Sequence, residues 1–140
     1  MSTGTFQRIE PGDQRMHGPR GLLVCGYPPE EHAAAASLIA AVGGMDLPVI
    51  FASGEVGERT LKALLALPHG FGKGAPSGLR RAMILSGFTH KELHTLMAAY
   101  KNAGLPRQLW ATLTPASEEW SLGELLDELA KERDRLSRGN

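Results

Sequence analysis

The sequence predicts an α/β fold in which two β-α-β units form one four-stranded sheet covered by helices, with a further helix at the C-terminal end. Two short apolar runs carry this prediction. The run from Gly21 to Cys25 ends at Gly26-Tyr27, and the run from Ala82 to Leu85 ends near Gly87-Phe88. A helical pattern, a glycine and a second strand-like segment follow each run. The two halves therefore share one architecture.

Composition limits the class of protein. With 42% hydrophobic and 21% charged residues in a chain of 140, the sequence is long and apolar enough to form one core. Fifteen basic residues balance fifteen acidic ones, so no overall charge favours nucleic acid or an anionic membrane. Cys25 has no partner for a disulfide, which fits a reducing compartment. No signal peptide or membrane span is evident, and we expect a cytoplasmic protein.

The glycines, prolines and polar residues near the start predict a flexible tail, because they cannot bury enough apolar surface to order the backbone. The remainder is expected to be a single domain. The predicted divisions are the tail (1–19) and the domain (20–137), which contains the first β-α-β unit (21–53), a connecting helix and glycine-rich loop (54–81), the second β-α-β unit (82–114) and a C-terminal helix (121–137).

In the first unit, the unbroken apolar run from Gly21 to Cys25 is typical of a strand covered on both faces. Pro28 and Pro29 suit the start of a helix to about Val42, since a proline there removes only a donor without a partner. Gly43-Gly44 would end that helix, and Leu47-Pro48 would precede a strand from Val49 to Ala52.

The connection and the second unit follow. Leucines at helical spacing predict a short helix from Thr60 to Leu67. After the second unit's first strand, Thr89 and Glu92 have the spacing of a capping box, and Gly104 would end the helix that they begin. The strand from Gln108 to Thr112 follows Leu105-Pro106. It alternates, with Trp110 facing away from its apolar neighbours, as expected of an edge strand.

The last helix has the clearest start. Ser121 and Glu124 fit a second capping box, and Trp120 with Leu125 fits the hydrophobic staple around it. A surface patch for a partner is suggested by three aromatic residues, Tyr100, Trp110 and Trp120. Only Trp110 lacks a local explanation.

Several segments of the second half resemble the bacterial family catalogued as domain of unknown function 3783, most strongly over residues 82 to 130. The segments that carry the resemblance are Met83-Ile84-Leu85-Ser86-Gly87-Phe88, the helix from Leu93 to Gly104, Leu113-Thr114-Pro115 and Trp120-Ser121-Leu122-Gly123-Glu124-Leu125-Leu126. That family has no assigned activity, so the resemblance implies a domain boundary and no mechanism.

Metal, cofactor and thiol chemistry is not favoured. His90 and His94 lie four residues apart on one helix face, a chelating spacing, yet no third ligand is evident beyond His32 or His69. We therefore expect no metal, no cofactor and no catalytic residue. Cys25 precedes a turn into a helix, where thiols can be activated, but its place inside an apolar strand favours an inert core thiol.

The glycine-rich stretch from Gly70 to Gly78 is the second motif that suggests a ligand. Lys73, with Arg80 and Arg81 nearby, could attract a phosphate or a nucleic acid. Phosphate-binding loops lie between a strand and a helix, however, whereas this one follows a helix. A flexible connection is the favoured interpretation, and nucleic-acid binding is not expected.

The strongest candidate sites are the two helix starts after the strands, where free backbone donors suit an anion. The candidate ligand-binding residues are Gly26, Tyr27, Gly87, Phe88 and Thr89. If all strands were parallel, both corners would flank one crevice. In the ferredoxin-like arrangement, which duplicated units of this size favour, the corners would lie at opposite edges.

The favoured function is a small cytoplasmic binding or interaction domain without catalysis, because no nucleophile, metal or phosphate motif stands in its proper context. The alternative is an enzyme or sensor that holds a small anion or nucleotide at the corners after Gly26-Tyr27 and Gly87-Phe88. An open sheet edge would also allow a homo-oligomer.

Overall fold

A computed structural model describes residues 14–44 and 46–138, with side chains through residue 136. Most of the predicted tail, residues 1–13, lies outside the described residues. The strands are β1 (Gly21–Cys25), β2 (Val49–Ala52), β3 (Ala82–Ser86) and β4 (Leu109–Thr112). The helices are α1 (His32–Gly43), α2 (Leu61–Leu65), α3 (His90–Asn102) and α4 (Leu122–Arg138), and a 3-10 turn at Pro29–Glu31 leads into α1.

The four strands form one mixed sheet in the order β2-β1-β3-β4. β1 is parallel to β2 and β3 is parallel to β4, whereas β1 and β3 are antiparallel, with Gly21 opposite Ser86 and Cys25 opposite Ala82. The predicted α/β class, the four-stranded sheet and the C-terminal helix are confirmed.

The strand order corrects the arrangement that the sequence favoured. A ferredoxin-like sheet would place β3 between β1 and β2, and an all-parallel sheet would align β1 with β3. Instead, each unit keeps its own two strands side by side, with Leu22 paired to Val49 in the first unit and Met83 paired to Trp110 in the second. The long connection from β2 to β3 lets the two units meet edge to edge through β1 and β3.

Helices cover both faces of the sheet. One core contains Leu22 and Val24 of β1 packed under α1 and α3, and the other contains Leu23 and Cys25 packed under α2 and α4. Because successive residues of a strand point to opposite faces, both sets of side chains are buried. This three-layer arrangement explains the unbroken apolar runs of β1 and β3.

The two halves are related by an approximate two-fold axis between β1 and β3. Equivalent positions are separated by a constant 61 residues, as from Leu22 to Met83 and from Val49 to Trp110. The same spacing relates Thr60 to Ser121, the residues that begin α2 and α4 and bridge to one another. The bonds there are reciprocal, since Leu61 N–H donates to the Trp120 carbonyl and Leu122 N–H to the Arg59 carbonyl, both at 3.0 Å.

The outer edge of β2 is covered by the glycine-rich loop. Phe51 N–H donates to the Phe71 carbonyl at 2.8 Å, Val49 N–H donates to His69 Nδ1 at 3.0 Å, and Gly70 N–H donates to the Val49 carbonyl at 2.8 Å. Gly72, at φ +78°, approaches so closely that a Cβ would lie 2.0 Å from the Phe51 oxygen. The expectation of a flexible connection is therefore wrong for this part of the loop, because it completes the sheet.

The outer edge of β4 differs. Leu109 and Leu113 N–H groups donate inward, to carbonyls of Arg81 and Leu85. Alternation along the strand turns the backbone groups of Trp110 and Thr112 outward. Within residues 14–44 and 46–138 these two residues have no hydrogen-bonding partner on that side. The prediction of β4 as an edge strand is confirmed. In the same part of the chain, no helix has the length and apolar character required to cross a bilayer.

Candidate functional site

The two glycine-aromatic corners lie at opposite ends of the two central strands. Gly26-Tyr27 follows β1 and Gly87-Phe88 follows β3, and these two strands run antiparallel. Among the described residues, the structure therefore does not bring the two corners together in one crevice.

Backbone groups at the first corner bond to the protein itself. Gly26 N–H donates to Ser77 Oγ at 3.1 Å, and Ser77 Oγ–H donates to the Ala52 carbonyl at 2.9 Å. A Cβ on Gly26, at φ +75°, would lie 2.6 Å from the Arg80 backbone. Tyr27 is 2% exposed. This corner is a tightly packed turn.

The second corner is covered by the segment that precedes β1. Gly87 N–H donates to the His17 carbonyl at 3.2 Å, Met16 N–H donates to the Phe88 carbonyl at 2.7 Å, and Arg15 donates to the Gly87 carbonyl at 2.9 Å. These contacts tie Arg15, Met16 and His17, which were predicted to belong to the tail, to the second unit. The ligand-binding role of the corners stays a prediction.

Thr89, the remaining predicted corner residue, begins α3. Its Oγ1 accepts from Glu92 N–H at 3.0 Å, and Thr89 N–H donates to the Glu92 carboxylate at 2.9 Å. The predicted capping box is confirmed. Two backbone donors at this helix start, those of Thr89 and Glu92, are therefore already bonded within the chain.

An arginine lies over the aromatic ring at each corner. Arg20 is 5.0 Å from the centre of the Phe88 ring and forms a 2.6 Å ion pair with Glu92. Burial alone would raise the pKa of Glu92, but hydrogen bonds from Arg20 and the Thr89 backbone lower it below its usual value. Such a cation over an aromatic face stabilises each turn.

The equivalent arrangement at the first corner uses Arg81. Its guanidinium is 3.9 Å from the centre of the Tyr27 ring and forms a 2.8 Å ion pair with Glu31. Although burial opposes the charge, bonds to Tyr100 and Glu31 raise the pKa of Arg81 above its ordinary value. Arg81 is therefore committed to these contacts.

At the first corner, polar side chains of α3 and of the segment before β4 extend the contacts of Arg81. The Arg81 Nε–H donates to the Tyr100 hydroxyl at 2.9 Å, the Tyr27 hydroxyl donates to Gln108 Oε1 at 2.7 Å, and the Tyr100 hydroxyl donates to the Pro106 carbonyl. Burial and the neighbouring Tyr100 raise the pKa of Tyr27. Among the described residues, the buried Gln108 Nε2 has no acceptor. We call Tyr27, Arg81, Tyr100 and Gln108 the polar cluster.

At the second corner, hydrocarbon side chains replace most of the polar cluster. By the 61-residue relation, Tyr27 corresponds to Phe88, Tyr100 to Ile39, and Gln108 to Leu47. The three counterparts are at most 2% exposed and belong to the same core. The fold is thus satisfied by apolar residues at these positions, and it does not require the hydroxyls and the amide of the polar cluster.

The polar cluster borders a surface groove between α3 and β4, which we call the α3–β4 groove. It has a volume of about 500 Å³ and is lined by Met97, Ala98, Tyr100, Lys101, Leu105, Arg107, Gln108 and Trp110. The Trp110 ring meets Tyr100 edge to face, with centres 5.4 Å apart. No acidic side chain lines the groove, whereas Lys101 and Arg107 contribute positive charge.

A smaller groove occupies the equivalent place between α1 and β2. Its volume is about 340 Å³, and small residues such as Ala36, Ser37 and Ala40 line it. His69 and Lys73 of the glycine-rich loop also line it. The two grooves therefore occupy equivalent places but differ in lining, because the α3–β4 groove has the Trp110 ring and two cations where the groove between α1 and β2 has small residues and the loop's Lys73.

Sequence reasoning found part of this site. Of the three aromatic residues that suggested a surface patch, Trp110, the one without a local explanation, lines the α3–β4 groove together with the buried Tyr100, and Trp120 lies at the start of α4. Lys101, Arg107 and Gln108 were missed, because each is an ordinary polar residue beside a helix end. Comparing each residue with the one 61 positions earlier would have shown the difference, with Gln108 matching the apolar Leu47.

Other predicted chemistry has structural explanations. His90 and His94 are exposed, and His69 accepts the Val49 N–H. His32 is buried against Phe51, with ring centres 4.4 Å apart, and its Nδ1 accepts the Gly74 N–H at 2.8 Å. Residues 14–44 and 46–138 contain no cluster of three or more side chains suited to a metal.

Cys25 is fully buried in β1, and burial raises the pKa of its thiol to about 12. A thiol with so high a pKa carries almost no thiolate at neutral pH. The buried position agrees with the predicted inert core cysteine.

Together, the fold and the groove define an α/β protein of two fused β-α-β units with one open, cationic surface groove. The model of the family described as Domain of unknown function (DUF3783) matches residues 81–136, which confirms the resemblance over the second unit and α4. The matched region includes Arg81 and all the residues that line the α3–β4 groove. No curated protein and no solved structure matched the chain.

Proposed function

We propose that the protein is a small cytoplasmic domain without catalytic activity that binds a small molecule in the α3–β4 groove. The difference between the two corners carries the proposal. Tyr27, Tyr100 and Gln108 lie together at the first corner, whereas the equivalent positions at the second corner hold the hydrocarbon side chains of Phe88, Ile39 and Leu47. An unsatisfied buried amide costs about 1–3 kcal/mol. Packing therefore does not explain why Gln108 occupies this position, whereas a role in binding does.

The groove favours an anionic compound with a flat apolar part. Trp110 offers an aromatic surface beside Met97 and Leu105, while Lys101 and Arg107 provide the only charges of the lining. Aromatic and apolar walls with a few convergent polar groups are typical of small-molecule sites. The cations would contact the anionic group, and the indole would contact the flat part.

The lining supports binding rather than catalysis. It contains no carboxylate, histidine, cysteine or serine that could serve as a nucleophile or general base. The Tyr100 hydroxyl already accepts from Arg81 and donates to Pro106. The cytoplasmic part of the proposal rests on the unpaired Cys25 and on the balanced charge of the chain.

The proposal is tested with a panel of aromatic carboxylates, nucleotides, acyl phosphates and metal ions, scored by thermal melting and then by titration. We expect an aromatic anion to stabilise the protein, and Lys101→Ala with Arg107→Ala to weaken its binding at least tenfold. Lys73→Ala in the equivalent groove of the first half is the matched control and should leave affinity unchanged. Failure of the whole panel, or equal effects of the two sets of variants, would contradict the proposal.

A further inference from the structure

We infer that two copies of this chain associate across β4, with their β4 strands antiparallel and their sheets continuous through a two-fold axis. The occupant of the edge is thus a second copy of the chain. This inference goes beyond ligand binding, because it concerns the backbone edge of β4 and the α4 face, which border the α3–β4 groove at Arg107, Gln108 and Trp110.

The backbone of β4 supplies the first argument. Trp110 and Thr112 direct their N–H and carbonyl groups outward, without partners among the described residues. Natural edge strands usually carry charge, proline or a covering segment that discourages pairing. Leu109–Thr112 contains neither charge nor proline. The equivalent edge of β2, in contrast, is closed by the glycine-rich loop.

The α4 side of the edge supplies the second argument. A shallow cavity of about 780 Å³ lies there between β4 and the last turns of α4, and its α4 residues are Leu129, Glu132, Arg133 and Leu136. Leu136 is 61% exposed. From Leu129 to Leu136, the stretch has a leucine at each end and the opposite charges of Glu132 and Arg133 in the centre. The pattern is therefore the same when it is read in either direction.

That pattern is self-complementary. When two α4 helices run antiparallel about a two-fold axis, Leu129 lies opposite the partner's Leu136, and Glu132 lies opposite the partner's Arg133. Within one chain, Glu132 forms an ion pair with Arg135 at 3.1 Å and Arg133 forms one with Asp134 at 3.9 Å. Both pairs are solvent exposed and contribute little stability, so association would lose little by breaking them. Charge complementarity therefore selects a second copy rather than an unrelated protein.

Sedimentation of the full chain across a range of concentrations tests the inference. We expect a reversible dimer. Thr112→Pro removes the outward N–H of β4 without removing a bond to β3, and it should weaken association at least tenfold. Thr112→Val retains the N–H and is the matched control. Circular dichroism establishes whether each variant is folded.

A charge exchange tests the α4 contact independently of strand pairing. Glu132→Lys places the introduced lysine opposite the partner's Arg133 and should weaken the dimer, whereas Glu132→Lys combined with Arg133→Glu restores opposite charges and should recover it. A full chain that stays monomeric would overturn the inference. If the Trp110 and Thr112 amides were protected from exchange in that monomer, residues 1–13 would be the segment that covers the β4 edge. A dimer indifferent to both sets of variants would also overturn it.

Discussion

Converting the polar cluster to its apolar counterpart offers a sensitive test of its role. Tyr27→Phe combined with Gln108→Leu gives the first corner the same apolar types that Phe88 and Leu47 provide at the second. The equivalent positions at the second corner already hold these apolar residues in the same fold. We therefore expect a folded protein that has lost affinity for the groove ligand.

The magnitudes follow from the hydrogen bonds. Tyr27→Phe alone leaves Gln108 Oε1 without its 2.7 Å donor, which should cost about 1–2 kcal/mol. Gln108→Leu alone removes the unsatisfied Nε2 but also deprives the Tyr27 hydroxyl of its acceptor, and these effects, each about 1–3 kcal/mol, oppose one another. The double variant leaves neither group unpaired. It should be more stable than the original chain by about 1 kcal/mol.

Urea unfolding followed by circular dichroism measures these differences as shifts in midpoint at constant slope. Tyr100→Phe provides the contrast, because it removes a hydroxyl that bonds both Arg81 and Pro106 and should destabilise the fold by about 1–3 kcal/mol. If the double variant were less stable than the original by more than about 2 kcal/mol, the polar cluster would be a requirement of the fold, and the reasoning would fail.

Three further predictions concern the thiol, an ion pair and the glycine-rich loop. Cys25, with a pKa of about 12, should resist thiol reagents at pH 8 in the folded protein and react fully in denaturant, and rapid labelling of the native protein would contradict its burial. Because the folded pKa of Glu92 is lowered, its pairing with Arg20 stabilises above the unfolded pKa and is lost as pH falls through the folded one. Glu92→Gln, which can still cap the helix, should cost about 1 kcal/mol at neutral pH and less in acid, and a pH-independent loss would argue against the ion pair. Gly72→Ala should cost at least about 2 kcal/mol in urea unfolding because its Cβ would meet a β2 carbonyl at 2.0 Å, and Gly74→Ala, with open space around it, should cost less.

Local signals of the sequence were sufficient for the elements. The capping boxes at Thr89 and Ser121 began helices where expected, because the side chains and backbone donors that form them are neighbours in the chain. Gly43 similarly marked the end of α1. Each of these features depends on fewer than five consecutive residues.

The strand order and the groove depend on distant residues and were not predictable in the same way. Pairing of β1 with β3 depends on how a connection of nearly thirty residues crosses the sheet. The Leu47-Pro48 and Leu105-Pro106 pairs invite alignment, yet the sheet register matches Leu47 to Gln108. Without the true register, the contrast between Gln108 and Leu47 that identifies the polar cluster is hidden.

The antiparallel junction of β1 and β3 is, in geometric terms, a subunit interface whose two subunits are joined in one chain. A chain with a single unit would expose that strand and would have to pair with an identical copy, so every change would appear on both sides. Covalent linkage removes this constraint. In the first half the glycine-rich loop closes the sheet edge, while the second half has outward backbone groups on β4, two cations and an indole ring. The two outer edges of the sheet can therefore differ in sequence and in covering while the junction between β1 and β3 stays the same.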